Sequence, residues 1–471
     1  MSELRILTQV VLTCFALVVN VAGQITFTKV ADTTQPFPGR STNFSGFGAP
    51  AISGGVVAFE ADGGSSFAGV FRWTNGVLQK AADYNTAIAS GSGNFTFFSG
   101  GFATYTENGL VTFRGIGSAG SGLFQFDGTS LTRLMDTTTP NPIPGGTGPF
   151  SVFFAPNMKD GAIALLAQNT NSLRGIYLRT NSTLTQLLAP GTAYIGGGTG
   201  VLSFSSQVGF DDGNLAFWSY NSATNTDNAI YTLANGTLTK VAEKNVTLVP
   251  GVGTPFTTLN SPPDVSGTKV AFQGSYSGGS GIYGVNLDGS GLVALVDTTT
   301  PIPLGSGYFT SVSSFEYDSG DLVFYGIGAA GAGIYRLRAG TLARIIDTSM
   351  TLDGKGIANF TFRDAGYANG EIAFRANFND GSRGIYTANI GAPTGPPSGG
   401  TLSGLSYSAS TGASFTFNGA TSGQTYRIQS STTLATNSWT DLTNFNFTAP
   451  VTVTDSAAAG AAQKFYRAVT P

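Results

Sequence analysis

The sequence predicts an all-β protein: a seven-bladed β-propeller closed by its own N-terminal strand, followed by a small C-terminal β-sandwich. Three observations predict it. A Gly-aliphatic-aromatic tripeptide, with Ala in place of Gly in one copy, returns seven times, about fifty-two residues apart. Each return sits in a unit of four short runs with period-two alternation. The seventh unit lacks its fourth run, and the opening of the chain carries a match for it. Composition agrees, since charged residues make up only 10% while the chain holds 66 Gly, 35 Phe and 17 Tyr, the balance of a turn-rich β protein. With 41% hydrophobic residues the chain can bury a core, which argues against disorder.

The first element is a targeting segment. Arg5 supplies a positive start, Ile6 to Val21 an apolar stretch, and Val21-Ala22-Gly23 a small-residue cleavage site, so residues 1–23 read as a signal peptide and the mature chain starts near Gln24. The stretch is too short, and too interrupted by Thr8, Gln9, Thr13 and Asn20, to span a bilayer well. Cys14, the only cysteine, lies inside it behind Leu12-Thr13, which is not a lipoprotein signal. The mature chain is thus expected to be secreted or held at the cell surface, with no disulfide, no thiolate chemistry and no transmembrane segment.

The repeat itself runs Gly69-Val70-Phe71, Gly122-Leu123-Phe124, Gly175-Ile176-Tyr177, Ala229-Ile230-Tyr231, Gly281-Ile282-Tyr283, Gly333-Ile334-Tyr335 and Gly384-Ile385-Tyr386. About twelve residues ahead of each stands a second anchor: Val57 to Phe59, Val111 to Phe113, Ile163 to Leu165, Leu215 to Phe217, Val270 to Phe272, Leu322 to Phe324 and Ile372 to Phe374. We label the four runs of a unit a to d. In the first unit they are Phe44 to Ile52, Val56 to Ala61, Gly69 to Thr74 and Val77 to Asp83. The a–b and c–d joints are tight turns such as Asn108-Gly109 and Asn75-Gly76, where Asn, Asp and Gly accept positive φ. Each unit is therefore an antiparallel four-stranded meander of the size of one propeller blade.

The seventh unit stops at Ile390 after run c. Ile25 to Asp32 (ITFTKVAD) resembles the d runs ending at Asp83, Asp136, Glu243 and Asp347, so the first strand is expected to complete the last blade and residues 24–390 to form the ring. In such a ring the d–a and b–c connections share one face and the hairpin turns the other. The d–a loops are long and varied, for example from Asp136 through Pro140 to Phe150, which makes their face the expected binding surface. Residues 391–400, rich in Gly and Pro, read as a linker. Residues 401–471 show six alternating runs and suggest a fibronectin-like sandwich with Tyr426, Trp439 and Tyr466 in its core.

Chemistry is sparse. The chain has no histidine, which excludes Ser-His-Asp and Cys-His catalysis and leaves only oxygen ligands for a metal. Net charge of −3 and the lack of a basic stripe argue against nucleic acid as a partner. No cofactor-binding motif is present. One ionisable position recurs, the end of run d: Asp32, Asp83, Asp136, Glu243, Asp297 and Asp347. It reads as a turn-capping carboxylate, with a ring of metal or sugar acceptors as the alternative. Near the axis, runs a and their ends offer Asp264, Glu316, Asp318 and Asp364. Glu316 and Asp318 share a face by alternation and are the candidate catalytic pair if the protein is a carbohydrate-active enzyme.

The units, as in Ala368-Asn369-Gly370-Glu371-Ile372-Ala373-Phe374, resemble the tandem "NxxGxxAF" repeat proteins exported by planctomycete and verrucomicrobial bacteria, over about residues 25–390. The C-terminal segment, with Tyr426 to Thr432, Trp439 to Leu442 and Phe465 to Arg467, is similar to the short sandwich that ends many exported proteins of those bacteria. The resemblance implies export and brings no catalytic residue. The expectation is a monomeric, non-catalytic binding or scaffold protein with a glycan or cell-surface protein as ligand; the alternative is a glycoside hydrolase or lyase.

Overall fold

The computed structural model describes residues 25–391 and 399–469, except 65–66, 99–103, 119, 138–148, 173, 194, 196–201, 205–206, 222–225, 330, 409, 421–424, 434–437, 447–449, 460 and 462. The expected signal peptide, most of the linker and the d–a loop after Asp136 lie outside the described residues. What is described is strand and turn. Its one helical element is the 3-10 turn Ser456–Ala458, and among the described residues no helix is long and apolar enough to cross a membrane. The chain divides into two compact units, one from Ile25 to Pro393 and one formed by the chain after it.

The larger unit contains seven antiparallel sheets of four to six strands, six built from one sequence repeat each and the seventh from a repeat plus the N-terminal strand. In the first, Gly46–Phe47 and Ala51–Ser53 form position a, followed by Val56–Asp62, Ala68–Thr74 and Val77–Asp83. The turn between the last two places Asn75 and Gly76 at φ of 49° and 81°, the paired left-handed conformation that lets a two-residue turn follow the strand twist. In the seventh sheet, Phe27–Asp32 pairs with Arg383–Asn389, setting Phe27 opposite Ala388 and Ala31 opposite Ile385. From sheet to sheet the inner strands touch in sequence order, and Ala51–Ser53 of the first also lies against Tyr367–Ala368 of the seventh.

Both sequence anchors are core aromatics. The aromatic of position b stacks on the aromatic of position c directly opposite it: Phe59 on Phe71 at 5.6 Å, Phe113 on Phe124 at 5.9 Å, Phe217 on Tyr231 at 5.6 Å, Phe324 on Tyr335 at 5.7 Å and Phe374 on Tyr386 at 6.2 Å. Packing, and not ligand binding, thus accounts for the repeat's aromatic residues. Several d–a loops fold back as small hairpins, bridged at Pro36 and Asn43, Ala87 and Asn94, Leu248 and Pro255, and Pro301 and Tyr308. Each tucks one apolar residue (Phe37, Ile88, Val249, Ile302) into the core. Gly91 and Gly93 close one of these plugs: Gly91 N–H donates to the Ile88 carbonyl at 3.0 Å, and Ile88 N–H donates to the Gly93 carbonyl at 2.9 Å.

Every d strand carries a β-bulge at one position. Phe71 lies opposite Lys80 and Val70 opposite Ala82, so Ala81 is unpaired; Val30, Leu134, Leu187, Val241, Leu295 and Ile345 are skipped in the same way. In a regular strand residues three apart face opposite sides, and one extra residue restores them to the same side. The recurrent acid therefore meets the cation three positions earlier: Lys29 to Asp32 at 3.0 Å, Lys80 to Asp83 at 2.7 Å, Lys240 to Glu243 at 2.6 Å, Arg344 to Asp347 at 2.7 Å, and Arg133 to Asp136. The other oxygen of several caps the following turn. Thr34 N–H donates to Asp32 Oδ1 at 2.8 Å, Asn85 N–H to Asp83 at 2.9 Å, Thr299 N–H to Asp297 at 2.8 Å and Ser349 N–H to Asp347 at 3.0 Å.

Position a departs from the simple run expected. In the first, second, fourth and seventh sheets it is broken into two short strands, and in the others it carries bulges. In the seventh the break falls between Lys355–Thr361 and Tyr367–Ala368, which places Arg363 and Asp364 outside the ladder.

The smaller unit has two three-stranded sheets, ordered Gly399–Ser408, Gly412–Ala420, Val451–Asp455 and Thr440–Asn446, Thr425–Ser431, Phe465–Val469. Its first strand takes Gly399 and Gly400, assigned to the linker from their composition, because the ladder already sets Gly399 opposite Ala420 and Thr401 opposite Asn418. Tyr426 and Tyr466 are buried, but Trp439 is only half-buried, with the Arg467 guanidinium 4.2 Å above its ring.

Candidate functional site

Among the described residues, ionisable groups converge at the a–b turn ends of the inner strands, where strands from several sheets meet. Four of the d–a loops fold into the buried plugs described above. Lys159 comes from the end of Phe150–Lys159, Asp264 from Thr258–Ser266, Glu316 and Asp318 from Phe309–Asp318, and Tyr105 from Thr104–Glu107. With Asp364 they line a cavity of about 200 Å³.

Glu316 and Asp318, two residues apart on one strand, both point into this cavity, and their environments differ. Lys159 Nζ donates to Asp318 Oδ1 at 2.7 Å, and Asn369 N–H donates to Asp318 Oδ2 at 2.9 Å. Burial works against the charge on Lys159, but the Asp318 carboxylate outweighs it and holds Lys159 above its usual range. Glu316 Oε2 accepts the N–H of Ala365. Burial, followed by the charges of Asp264 and Asp364, pushes Glu316 well above the ordinary glutamate range. Asp264 accepts the N–H of Tyr317 at 2.7 Å and of Val265 at 2.8 Å, and burial raises it to about 7 against those bonds. Asp364 Oδ2 accepts from the Tyr105 hydroxyl at 3.0 Å, and that hydroxyl accepts from Gln207 Nε2 at 2.6 Å. Arg363 lies 3.5 Å from Asp364 and over the Tyr105 ring.

Most of these carboxylates join neighbouring sheets. Glu107 accepts from the turn N–H groups of Asp160 and Gly161, Asp211 from Gly267, Asp318 from Asn369 and Glu371 from Gly55, while the Ser266 hydroxyl accepts from Ser319 N–H. An oxygen acceptor at or near the a–b turn of one sheet thereby fastens the turn of the next. The sequence signal for this is a polar residue immediately before several a–b turns, as in Glu107-Asn108-Gly109 and Asp211-Asp212-Gly213.

The pair Asp318 and Lys159 spans the third and sixth sheets, a juxtaposition no local pattern announces. Among the described residues no group of three acids is placed to hold a metal, and the d-strand acids Asp32, Asp83, Asp136, Glu243, Asp297 and Asp347 are engaged in their own ion pairs and turns. A cavity of about 200 Å³ lies below the usual range of small-molecule sites, roughly 300 to 1,000 Å³.

The raised Asp264 predicts a pH effect. Its folded value of about 7 lies above the unfolded carboxylate range, so the folded chain keeps a proton that the unfolded chain releases. That contribution is full below about pH 4 and is lost as pH rises through about 7. The melting temperature at about pH 8 is expected to lie a few degrees below that at about pH 5, and Asp264→Asn to narrow the gap. A gap of the same size in the variant would place the titrating group elsewhere.

Comparison with known proteins adds the following. Among curated proteins none matches the chain. Among solved structures, it is similar to the β-propeller domain of the trilobed protease of Pyrococcus furiosus, at 10% identity over 74% of this chain and 96% of that one, with a TM-score of 0.45. It is similar to puromycin hydrolase at 11% identity over 80% of this chain, with a TM-score of 0.48, and to PorZ, a surface component of the type-IX secretion system of Porphyromonas gingivalis, at 13% over 93%, with a TM-score of 0.43. It spans only 59% and 60% of the latter two. At these identities the likeness is one of fold alone, that of all-β, propeller-like proteins. A family model matches residues 15–334, more than half of the sequence: the chain belongs to a family of unknown function, DUF7453.

Proposed function

We infer that the protein is a secreted or cell-surface, non-catalytic repeat protein that binds a glycan or a protein, built as a seven-bladed β-propeller closed by its N-terminal strand and carrying a small sandwich. Residues 1–23 act as the signal peptide, 24–390 as the propeller, 391–400 as the linker and 401–471 as the fibronectin-like module, and the chain works as a monomer without a cofactor. One observation carries the non-catalytic reading: each of the axial carboxylates Asp264, Glu316, Asp318 and Asp364 accepts a structural hydrogen bond, and in the first three the donor is a backbone N–H. A carboxylate that caps a neighbouring turn is held by the fold and is poorly placed to move toward a substrate.

A carbohydrate-active enzyme is the second reading. The observation in its favour is that burial and the charges of Asp264 and Asp364 push Glu316 above the ordinary glutamate range while Asp318 faces Lys159, so two carboxyl groups at one strand end stand in different environments. The test is one set of assays on purified chain and Glu316→Gln: binding to immobilised plant and algal polysaccharides, and release of reducing ends from them. Binding retained by Glu316→Gln with no sugar released by either is the expected result. Turnover abolished in Glu316→Gln would establish the enzyme.

A further inference from the structure

We propose that the chain holds a neutral oligosaccharide in a second cavity, at the opposite ends of the inner strands, where sheets one, two and seven meet. This rests on the glycan-binding reading above and gives it a site. The cavity measures about 380 Å³, inside the range of small-molecule sites where the axial one is not. Its walls come from Phe47 and Glu60 to Asp62 in the first sheet, Tyr84 at the exit of that sheet's d strand, Phe97 and Phe98 in the second sheet, and Thr361 and Arg375 in the seventh.

The aromatic wall is set by packing and by one register slip. The Tyr84 ring lies nearly parallel to Phe98, 5.7 Å away at 14°, and edge-on to Phe67 at 5.5 Å. The strand Phe95–Phe98 slips register between Phe95 and Phe97, burying Phe95 and Phe98 while Phe97 stays 49% exposed. An aromatic exposed to that degree at the lip of a cavity is a surface without a core partner. The slip is what turns Phe97 away from the side that Phe95 occupies.

The polar groups suit a sugar. Glu60 is buried, with Oε1 accepting from the Thr104 hydroxyl at 3.0 Å, and Asp62 lies at the rim. Arg375 donates from Nη1 to the Phe47 carbonyl and from Nη2 to the Thr361 hydroxyl at 2.6 Å, while its Nε is buried without a partner among the described residues. A pyranose presents an apolar C–H face to an aromatic ring and a rim of hydroxyls that both donate and accept. Carboxylates take the donated protons, and a guanidinium N–H supplies the complementary donor. Charge argues for neutrality: Glu60 and Asp62 are matched by Arg375 and by Arg383, whose Nη1 and the Asp62 Oδ2 both approach Gly46. An anionic glycan would meet two carboxylates, and a cationic peptide two guanidinium groups.

The test is a glycan array of neutral and acidic oligosaccharides, with a lysine-rich peptide as a further probe, followed by calorimetric titration of the tightest ligand. Purified chain, Phe97→Ala, Tyr84→Ala and, as a control, Tyr308→Ala, an exposed aromatic outside both cavities, are compared, with melting curves to confirm folding. Binding to neutral oligosaccharides that weakens roughly tenfold in Phe97→Ala, about 1.4 kcal/mol, and stays unchanged in Tyr308→Ala is expected from the loss of one stacking ring. Glycan binding unaffected by Phe97→Ala and Tyr84→Ala would overturn the site and leave the glycan reading standing. Preference for acidic glycans or for the peptide would overturn the neutral ligand, and no glycan binding by the unsubstituted chain would overturn both.

Discussion

Removal of Ile25 to Asp32 is expected to abolish cooperative folding of the larger unit. Phe27–Asp32 is the outer strand of the seventh sheet; Val30 and Ala31 are buried, and Phe27 packs edge-on against Phe374 at 5.8 Å. Lys29 ties this strand to Asp353 at 3.0 Å as well as to Asp32. Without it the strand Arg383–Asn389 presents an unpaired edge, and Ile385, fully buried, loses its partner Ala31. The apolar area lost is worth several kcal/mol at roughly 25 cal/mol per Å², and the exposed edge invites aggregation. Thermal melting and sedimentation of the truncated chain measure both effects. Recovery on moving the segment to follow Ile390 would show that what matters is the strand's place in the sheet and not its place in the chain. A truncated chain that melts like the whole one would show that the seventh sheet stands without it.

Gly281→Val is expected to destabilise the fifth sheet by roughly 3 kcal/mol or more, through overpacking against a rigid backbone. A Cβ built at Gly281 would stand 2.8 Å from the Val296 carbonyl oxygen, 2.8 Å from Asp297 Cβ and 3.1 Å from the Tyr283 ring. The same carbonyl contact recurs at Gly69, Gly122, Gly175 and Gly333, each at 2.9 Å, and the bulge one residue earlier in strand d accompanies it in every sheet. The repeated glycine therefore answers to the repeated bulge. The fourth sheet carries Ala229 at the equivalent place, fully buried, so one methyl is accommodated there. Gly281→Ala is accordingly expected to cost less than Gly281→Val, and melting of the two variants in parallel orders them. Equal, negligible effects would mean that strand d yields to a side chain and that the glycine is not required by packing.

Much of the strand order was legible in the sequence because it is written in local chemistry. Asn75-Gly76 can only be a tight turn, Ala58-Phe59 and Val70-Phe71 alternate with period two, and ITFTKVAD repeats the pattern of the other d strands. The candidate site was legible only as a set of residue types. Glu316 and Asp318 could be placed on one face by alternation, but the Lys159 that pairs with Asp318 lies three sheets away, and the Tyr105 that bonds Asp364 lies far up the chain. The d-strand ion pairs were missed for a definite reason: at a spacing of three, Lys80 and Asp83 face opposite ways in any regular strand, and only the bulge at Ala81 brings them together. Phe97 was hidden likewise, since a slip of one residue decides whether an aromatic faces the core or the solvent.

By itself, then, the amino-acid sequence determined the all-β class, the seven repeats and the turns between their strands, because hydrophobic period and left-handed turn residues act over a few positions. The tertiary structure alone decided which carboxylates would be pushed above their ordinary range, which would cap a neighbour's turn, and where a cavity of useful size would open. Those properties depend on burial and on distances between groups from different sheets, and no spacing along the chain encodes them.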